Sequence, residues 1–186
     1  MAATVDGGAG RRDSSRRPAL RRWRALLLLA GVIALGVAAG RWVAEPVRVT
    51  SQSMLPTLRA GDEIVVEKVS PRLGRLDRGD LITFRSPADG ALMVKRLVAL
   101  PGDVVEFRDA VLYVNDRPVA EPYVDLSRID GLYFGPETVP PDRVFVLGDS
   151  RAGSVDSRTY GAVPIADVVG RVVFRIWPLG GATWLG

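Results

Sequence analysis

Three hydroxyl side chains, Thr50, Ser51 and Ser53, crowd the start of the stretch Val49-Thr50-Ser51-Gln52-Ser53-Met54-Leu55-Pro56-Thr57-Leu58, and a lysine, Lys95, sits inside the apolar run LMVKRLVAL. A hydroxyl-rich loop running into a proline is, alone, ordinary turn chemistry. The lysine gives it a second meaning. Strand alternation puts Met93, Lys95 and Leu97 on one face and Val94, Arg96 and Val98 on the other, and an amine between methionine and leucine is costly unless neutralised or paired. One reading is an edge-strand charge that discourages aggregation, a role Arg96 beside it can also fill. The other is a buried, unprotonated lysine acting as general base for a serine. An unperturbed lysine is neutral only ~0.04% of the time at pH 7. Lowering its pKa to roughly 8 raises that fraction to roughly 10%.

Composition narrows the choice. With no His and no Cys, the chain has no Ser-His-Asp triad, His shuttle, thiol nucleophile, thiolate zinc site or disulfide. Only two of the 25 basic residues are lysines, Lys68 and Lys95. A Ser-Lys pair needs neither missing residue type.

The elements that must position this pair fall into three parts. Residues 1–24 hold seven arginines against Asp6 and Asp13 and little apolar surface, so this segment reads as a disordered basic tail. Ala25 to Gly40 is uncharged over 16 residues, bracketed by Arg24 and Arg41 with Trp23 and Trp42 beside them. With interfacial indoles and snorkelling arginines it predicts a membrane anchor over 25–44. A cleaved signal peptide is the competing reading, because Ala38-Ala39-Gly40 supplies small residues near the end of the apolar run. The arginine asymmetry places the N-terminus in the cytoplasm and the remaining residues across the membrane.

From residue 45 to 186 the pattern is of short β-branched runs between turns: 63–69, 81–84, 92–100, 104–107, 111–114, 144–147 and 168–177. These predict a mainly β, antiparallel domain, with a hairpin turning at Asn115-Asp116. Gly61-Asp62, Gly79-Asp80 and Gly102-Asp103 read as turns at strand entrances. The overall charge of +4 belongs to the tail, since residues from Arg41 onward hold 18 basic and 19 acidic side chains. That distribution argues against a nucleic-acid surface.

In this order, SQSMLPTL (51–58), RGDLITF (78–84), KRLVALPGD (95–103) and GDSRAGSVDSRTYGAVP (148–164) resemble the motifs of the bacterial type I signal peptidase family. The resemblance implies a β-sheet catalytic domain of that type behind one transmembrane helix. It implies Ser53 as nucleophile, Lys95 as general base, and Ser51 with the backbone N–H of Ser53 as the oxyanion hole. Ser154 corresponds to a hydroxyl orienting the lysine, and Asp156 and Arg158 to a structural ion pair beside the site. Gln52 and Ser150 depart from the family's frequent Gly and Asn, and the short segment between Asp103 and Gly148 resembles its compact members.

The implied activity is a serine endopeptidase of the bacterial plasma membrane, using no cofactor and no metal, that removes signal peptides after small residues at the minus 1 and minus 3 positions. Its partners are preprotein signal peptides, membrane lipid and the secretion translocon. Substrate would lie extended along a strand edge, with Val49, Met54, Leu58 and Val94 as candidates to line shallow pockets or to serve as ordinary core. Two alternatives stand beside this reading. The self-cleaving repressors also use Ser-Lys chemistry on a related β fold, but pair it with a DNA-binding helical domain that the N-terminal apolar segment argues against. An anchored β-domain that binds exported proteins without cutting them is the other.

Overall fold

The computed structural model describes residues 17–124, 129 and 132–185. The chain divides into two units, Met1–Arg41 and Trp42–Gly186. Helix α1, Arg17–Val43, contains the apolar segment. Leu26 to Leu29, Val32, Ile33, Leu35 and Val37 on it are all exposed. Among the described residues no helix is long and apolar enough to cross a membrane. The helix begins earlier than the apolar run because Arg, Ala and Leu are good helix formers. Residues 1–16 of the expected tail lie outside the described residues.

The second unit is built on strands. In chain order they are β1 (Ala44–Arg48), β2 (Glu63–Glu67), β3 (Leu81–Arg85), β4 (Leu92–Ala99), β5 (Val104–Arg108), β6 (Val111–Val114), β7 (Arg117–Pro118), β8 (Phe134–Thr138), β9 (Arg143–Leu147), β10 (Val163–Pro164), β11 (Val168–Trp177) and β12 (Thr183–Trp184). Two single-turn helices, α2 (Val69–Arg72) and α3 (Ser157–Tyr160), interrupt them. The larger sheet runs β1-β2-β11-β3-β4-β9-β10 with β12 on β11, and the smaller runs β7-β6-β5-β8. Each described pairing is antiparallel.

The patterning explains the layers. β2 alternates, burying Ile64 and Val66, and β3 is buried on both faces, as its unbroken Leu81-Ile82-Thr83-Phe84 run requires. Leu81 joins Val49, Met54, Leu58, Ile64, Val66 and Val172 in one apolar cluster. Ile82 and Phe84 join Leu97, Val144, Val146 and Val163 in another, on the opposite face of the strand. A third cluster, including Ala99, Phe107, Leu112 and Phe145, packs the small sheet against the end of the large one.

Asn115 and Asp116 both take positive φ, 54° and 60°, and close the β6–β7 hairpin. The three Gly-Asp pairs are turns, with φ of 98°, 100° and 84° at Gly61, Gly79 and Gly102. In each, the aspartate accepts the N–H three residues back: Arg59 at 3.0 Å, Asp77 at 2.9 Å and Leu100 at 2.7 Å. Each aspartate also meets an arginine: Asp62 with Arg175, Asp80 with Arg171, Asp103 with Arg78. β1 and β8 carry proline and polar residues (AEPVR, FGPET) and show no strand signal in the sequence. Tertiary pairing makes them strands.

Candidate active site

The Ser53 segment is a loop between β1 and β2, closed at its base by Val49 N–H to the Asp62 carbonyl and Gly61 N–H to the Val49 carbonyl, both 2.8 Å. One turn within it, Leu58 N–H to the Met54 carbonyl at 2.8 Å, sets Met54 and Leu58 side by side in the core. With these two anchored, Ser51 and Gln52 are exposed and Ser53 is half-buried.

Lys95 is 1% exposed on β4, opposite Ile82 of β3. Its strand is flanked by β3 and β9, so the edge-strand reading of Lys95 and Arg96 does not hold. Its amine donates to Ser154 Oγ at 2.9 Å. Burial pulls its pKa down from 10.5 to about 8, opposed by the negative charge of Asp156 and aided by Arg158, with Asp149 also opposing.

Gly148 is the junction between the two halves. A β-carbon there would sit 2.5 Å from Ser154 Cβ and 2.6 Å from the Ser53 carbonyl oxygen, so the Ser53 backbone and the Ser154 side chain flank one bare Cα. The same Ser53 carbonyl accepts the N–H of Ser150 at 3.0 Å. Thus Ser53, Ser154 and Lys95 are brought together, and Ser51 lies with them, its Oγ 3.1 Å from that of Ser53. The Ser53 hydroxyl makes its hydrogen bond to Ser51, not to the amine.

Asp156 is fully buried and accepts from Gly148 N–H at 3.0 Å and from Arg158 Nε and Nη2, both at 2.8 Å. Arg158 reaches on to the carbonyls of Arg151 at 2.9 Å and Ser154 at 3.5 Å. The pair therefore shapes the turn that presents Ser154. Val49, Met54 and Leu58 lie in the core with half-buried Val94 packed against them.

A cleft of about 810 Å³ opens over this region, lined by Ser51, Gln52, Ser53, Leu55 and Pro56, by Asp149 to Gly153, and by Ile129. Ser150, which stands where the family often has Asn, is on its wall.

Several partnerships around the site are not foreshadowed by the sequence. Asp149, 1% exposed, accepts from Thr57 Oγ1 at 2.5 Å and from Arg96 Nε and Nη2 at 2.8 and 2.7 Å. The Arg96 guanidinium stacks over the Tyr123 ring, 3.8 Å from its centroid. Buried Arg151 forms a two-pronged pair with Glu121, at 2.7 and 2.5 Å. The available signals were Arg96 within an apolar strand and Gly148-Asp149, a Gly-Asp pair that follows a strand where the other three precede one.

Against known proteins, the model of the family described as signal peptidase, peptidase S26, matches residues 20–177. The chain belongs to this family. It is 37% identical over 166 residues to a signal peptidase I of Leptolyngbya laminosa, covering 85% of this chain and 80% of that one. It is 40% identical over 142 residues to a signal peptidase I of Bacillus caldolyticus, covering 70% and 78%. A crystal structure of a signal peptidase I from Enterococcus faecalis shares 37% identity and covers 52% of this chain and 95% of its own, with a TM-score of 0.48.

Proposed function

We propose that this protein is a membrane-anchored serine endopeptidase that removes signal peptides from exported preproteins, with Ser53 as nucleophile and Lys95 as general base. The observation that carries this reading is a lysine amine buried in an apolar sheet and bonded to a serine hydroxyl, one glycine away from the backbone of Ser53.

The chemistry balances on these groups. Neutral Lys95 takes the Ser53 proton as Oγ attacks the scissile carbonyl, and the resulting oxyanion is held by the Ser53 N–H and the Ser51 hydroxyl. The Lys95 ammonium then gives its proton to the departing amine, leaving a Ser53 ester. Water, deprotonated by the same lysine, attacks that ester and restores the hydroxyl. Attack requires the Ser53 hydroxyl to swing from Ser51 to the amine, a tightening typical of enzymes observed without substrate. Ser154 holds the amine in place meanwhile. Small residues at minus 1 and minus 3 would enter the cleft beside Ser53, backed by the apolar layer of buried Val49, Met54 and Leu58 and half-buried Val94.

Anchoring rests on the sequence of α1. Its 16 uncharged residues alone fall short of a span, but Trp23 and Trp42 are 68% and 71% exposed at the two ends. The helix from Trp23 to Val43 then rises about 30 Å, against a hydrocarbon core of about 30 Å, with Ala44 just beyond its end. The arginine-rich side faces the cytoplasm, and the β domain faces lipid, preprotein and translocon on the other side of the bacterial plasma membrane.

The test is the full chain in detergent with a purified preprotein. We expect a single cut after the signal peptide, abolished in both Ser53→Ala and Lys95→Ala; an inert wild type or unchanged cleavage by either variant defeats the reading.

A further inference from the structure

Three segments carry the proposed chemistry, and one buried carboxylate touches or adjoins all of them. Asp149 accepts from Thr57, four residues beyond Ser53; from Arg96, the neighbour of Lys95; and it follows Gly148, the glycine between Ser53 and Ser154. Arg96 also donates to the Gly79 carbonyl at 2.8 Å, fixing its far side to the turn before β3. The Thr57 carbonyl in turn accepts from Arg175 Nη1 of β11 at 3.1 Å. Thr57 is thus held at its carbonyl by Arg175 of β11 and at its hydroxyl by Asp149, two residues beyond the end of β9.

We propose that Thr57 is a positioning residue: its hydroxyl, bonded to Asp149, sets the Ser53 loop in register with the strand bearing Lys95. This rests on the Ser-Lys peptidase reading. Without that bond, Met54 and Leu58 still anchor the loop in the core, so the fold survives while the Ser53 to Lys95 approach loosens. A displacement of about 1 Å at reacting atoms can cost on the order of 100-fold in rate.

The experiment compares full-length Thr57→Val, Thr57→Ser and Asp149→Asn with wild type on a peptide bearing alanine at minus 1 and minus 3, rates normalised to folded enzyme by thermal melts. For Thr57→Val we expect kcat to fall about 10- to 100-fold, with KM and the pH midpoint of the rate unchanged. Thr57→Ser, which keeps the hydroxyl, restores kcat to within about threefold. Asp149→Asn lowers kcat and also moves the midpoint to lower pH, because a carboxylate that favours the Lys95 ammonium is gone.

The double variant Thr57→Val/Asp149→Asn loses no more than the worse single change. This cycle can be run with Thr57→Ala if the valine variant does not fold. Wild-type kcat in Thr57→Val, no rescue by serine, or additive losses in the double variant overturns the inference alone. An inert wild type overturns the peptidase reading with it.

Discussion

The amine of Lys95 and the hydroxyl of Ser154 are joined by a 2.9 Å hydrogen bond inside a sheet where Lys95 is 1% exposed. The bond gives the amine a fixed direction and a neutral partner. A hydroxyl can accept from an ammonium or donate to a free amine, so it serves both protonation states without imposing one. A carboxylate in its place would hold the proton on the lysine. Ser154→Ala is therefore expected to lower kcat by about 10- to 100-fold while leaving a measurable rate, since the base remains but its direction is lost. Steady-state kinetics on a model preprotein check this; a rate equal to wild type would remove Ser154 from the site.

Activity should rise with pH through a midpoint near 8, where Lys95 deprotonates in the folded protein. Asp156 favours the ammonium, so Asp156→Asn moves the midpoint to lower pH, whatever it does to the maximal rate. A pH profile of kcat/KM for both proteins reads the shift and its sign.

Burying the amine also bears on stability. In the unfolded chain the lysine keeps its proton up to its ordinary 10.5, while in the fold it releases it near 8. Between these values the unfolded state binds more protons, so stability attributable to this group rises with pH, and its cost is fully present below 8. Lys95→Met should stabilise the protein at pH 7 by on the order of 1 to 3 kcal/mol, with the advantage shrinking toward pH 10. Denaturant midpoints of the pair at both pH values measure it.

Gly148 tolerates no side chain. A β-carbon would lie 2.5 Å from Ser154 Cβ and 2.6 Å from the Ser53 carbonyl, so Gly148→Ala must push the two halves of the site apart. Stability should fall by about 1 to 3 kcal/mol, and cleavage by far more than the unfolded fraction explains. Melting curves and kinetics on the same samples separate the two effects.

The Glu121–Arg151 pair is buried, with side chains 5% and 0% exposed. Glu121→Gln leaves the guanidinium without its countercharge and should cost about 3 to 5 kcal/mol. A thermal melt that matches wild type would contradict this.

Much of this was legible in the chain before folding. The long strands, the Asn115-Asp116 hairpin and the three Gly-Asp turns announce themselves through periodicity and turn chemistry, and Lys95 stands out because an amine inside an apolar strand needs a reason. β1 and β8 were not legible, because Ala44–Arg48 and Phe134–Thr138 are strands only by virtue of their neighbours' unpaired edges. Nor was the web around Asp149: Thr57, Arg96 and Asp149 are separated by 39 and 53 residues, and nothing local marks them as partners. Buried ion pairs of this kind are properties of the folded chain, while turns and amphipathic strands are properties of short stretches.

The small sheet, β7-β6-β5-β8, enters the chain after β4 and leaves it before β9, two strands that pair directly with each other. Ser53, Lys95 and Ser154 all lie outside it. The intervening segment is thus an excursion between two strands that already pair, and it is packed back onto them through Phe107 and Leu112 against Ala99 and Phe145. It also fastens to the surroundings of the site at two points, Glu121 on Arg151 and the Tyr123 ring on the Arg96 guanidinium, so the excursion acts as a clasp over the turn that follows β9.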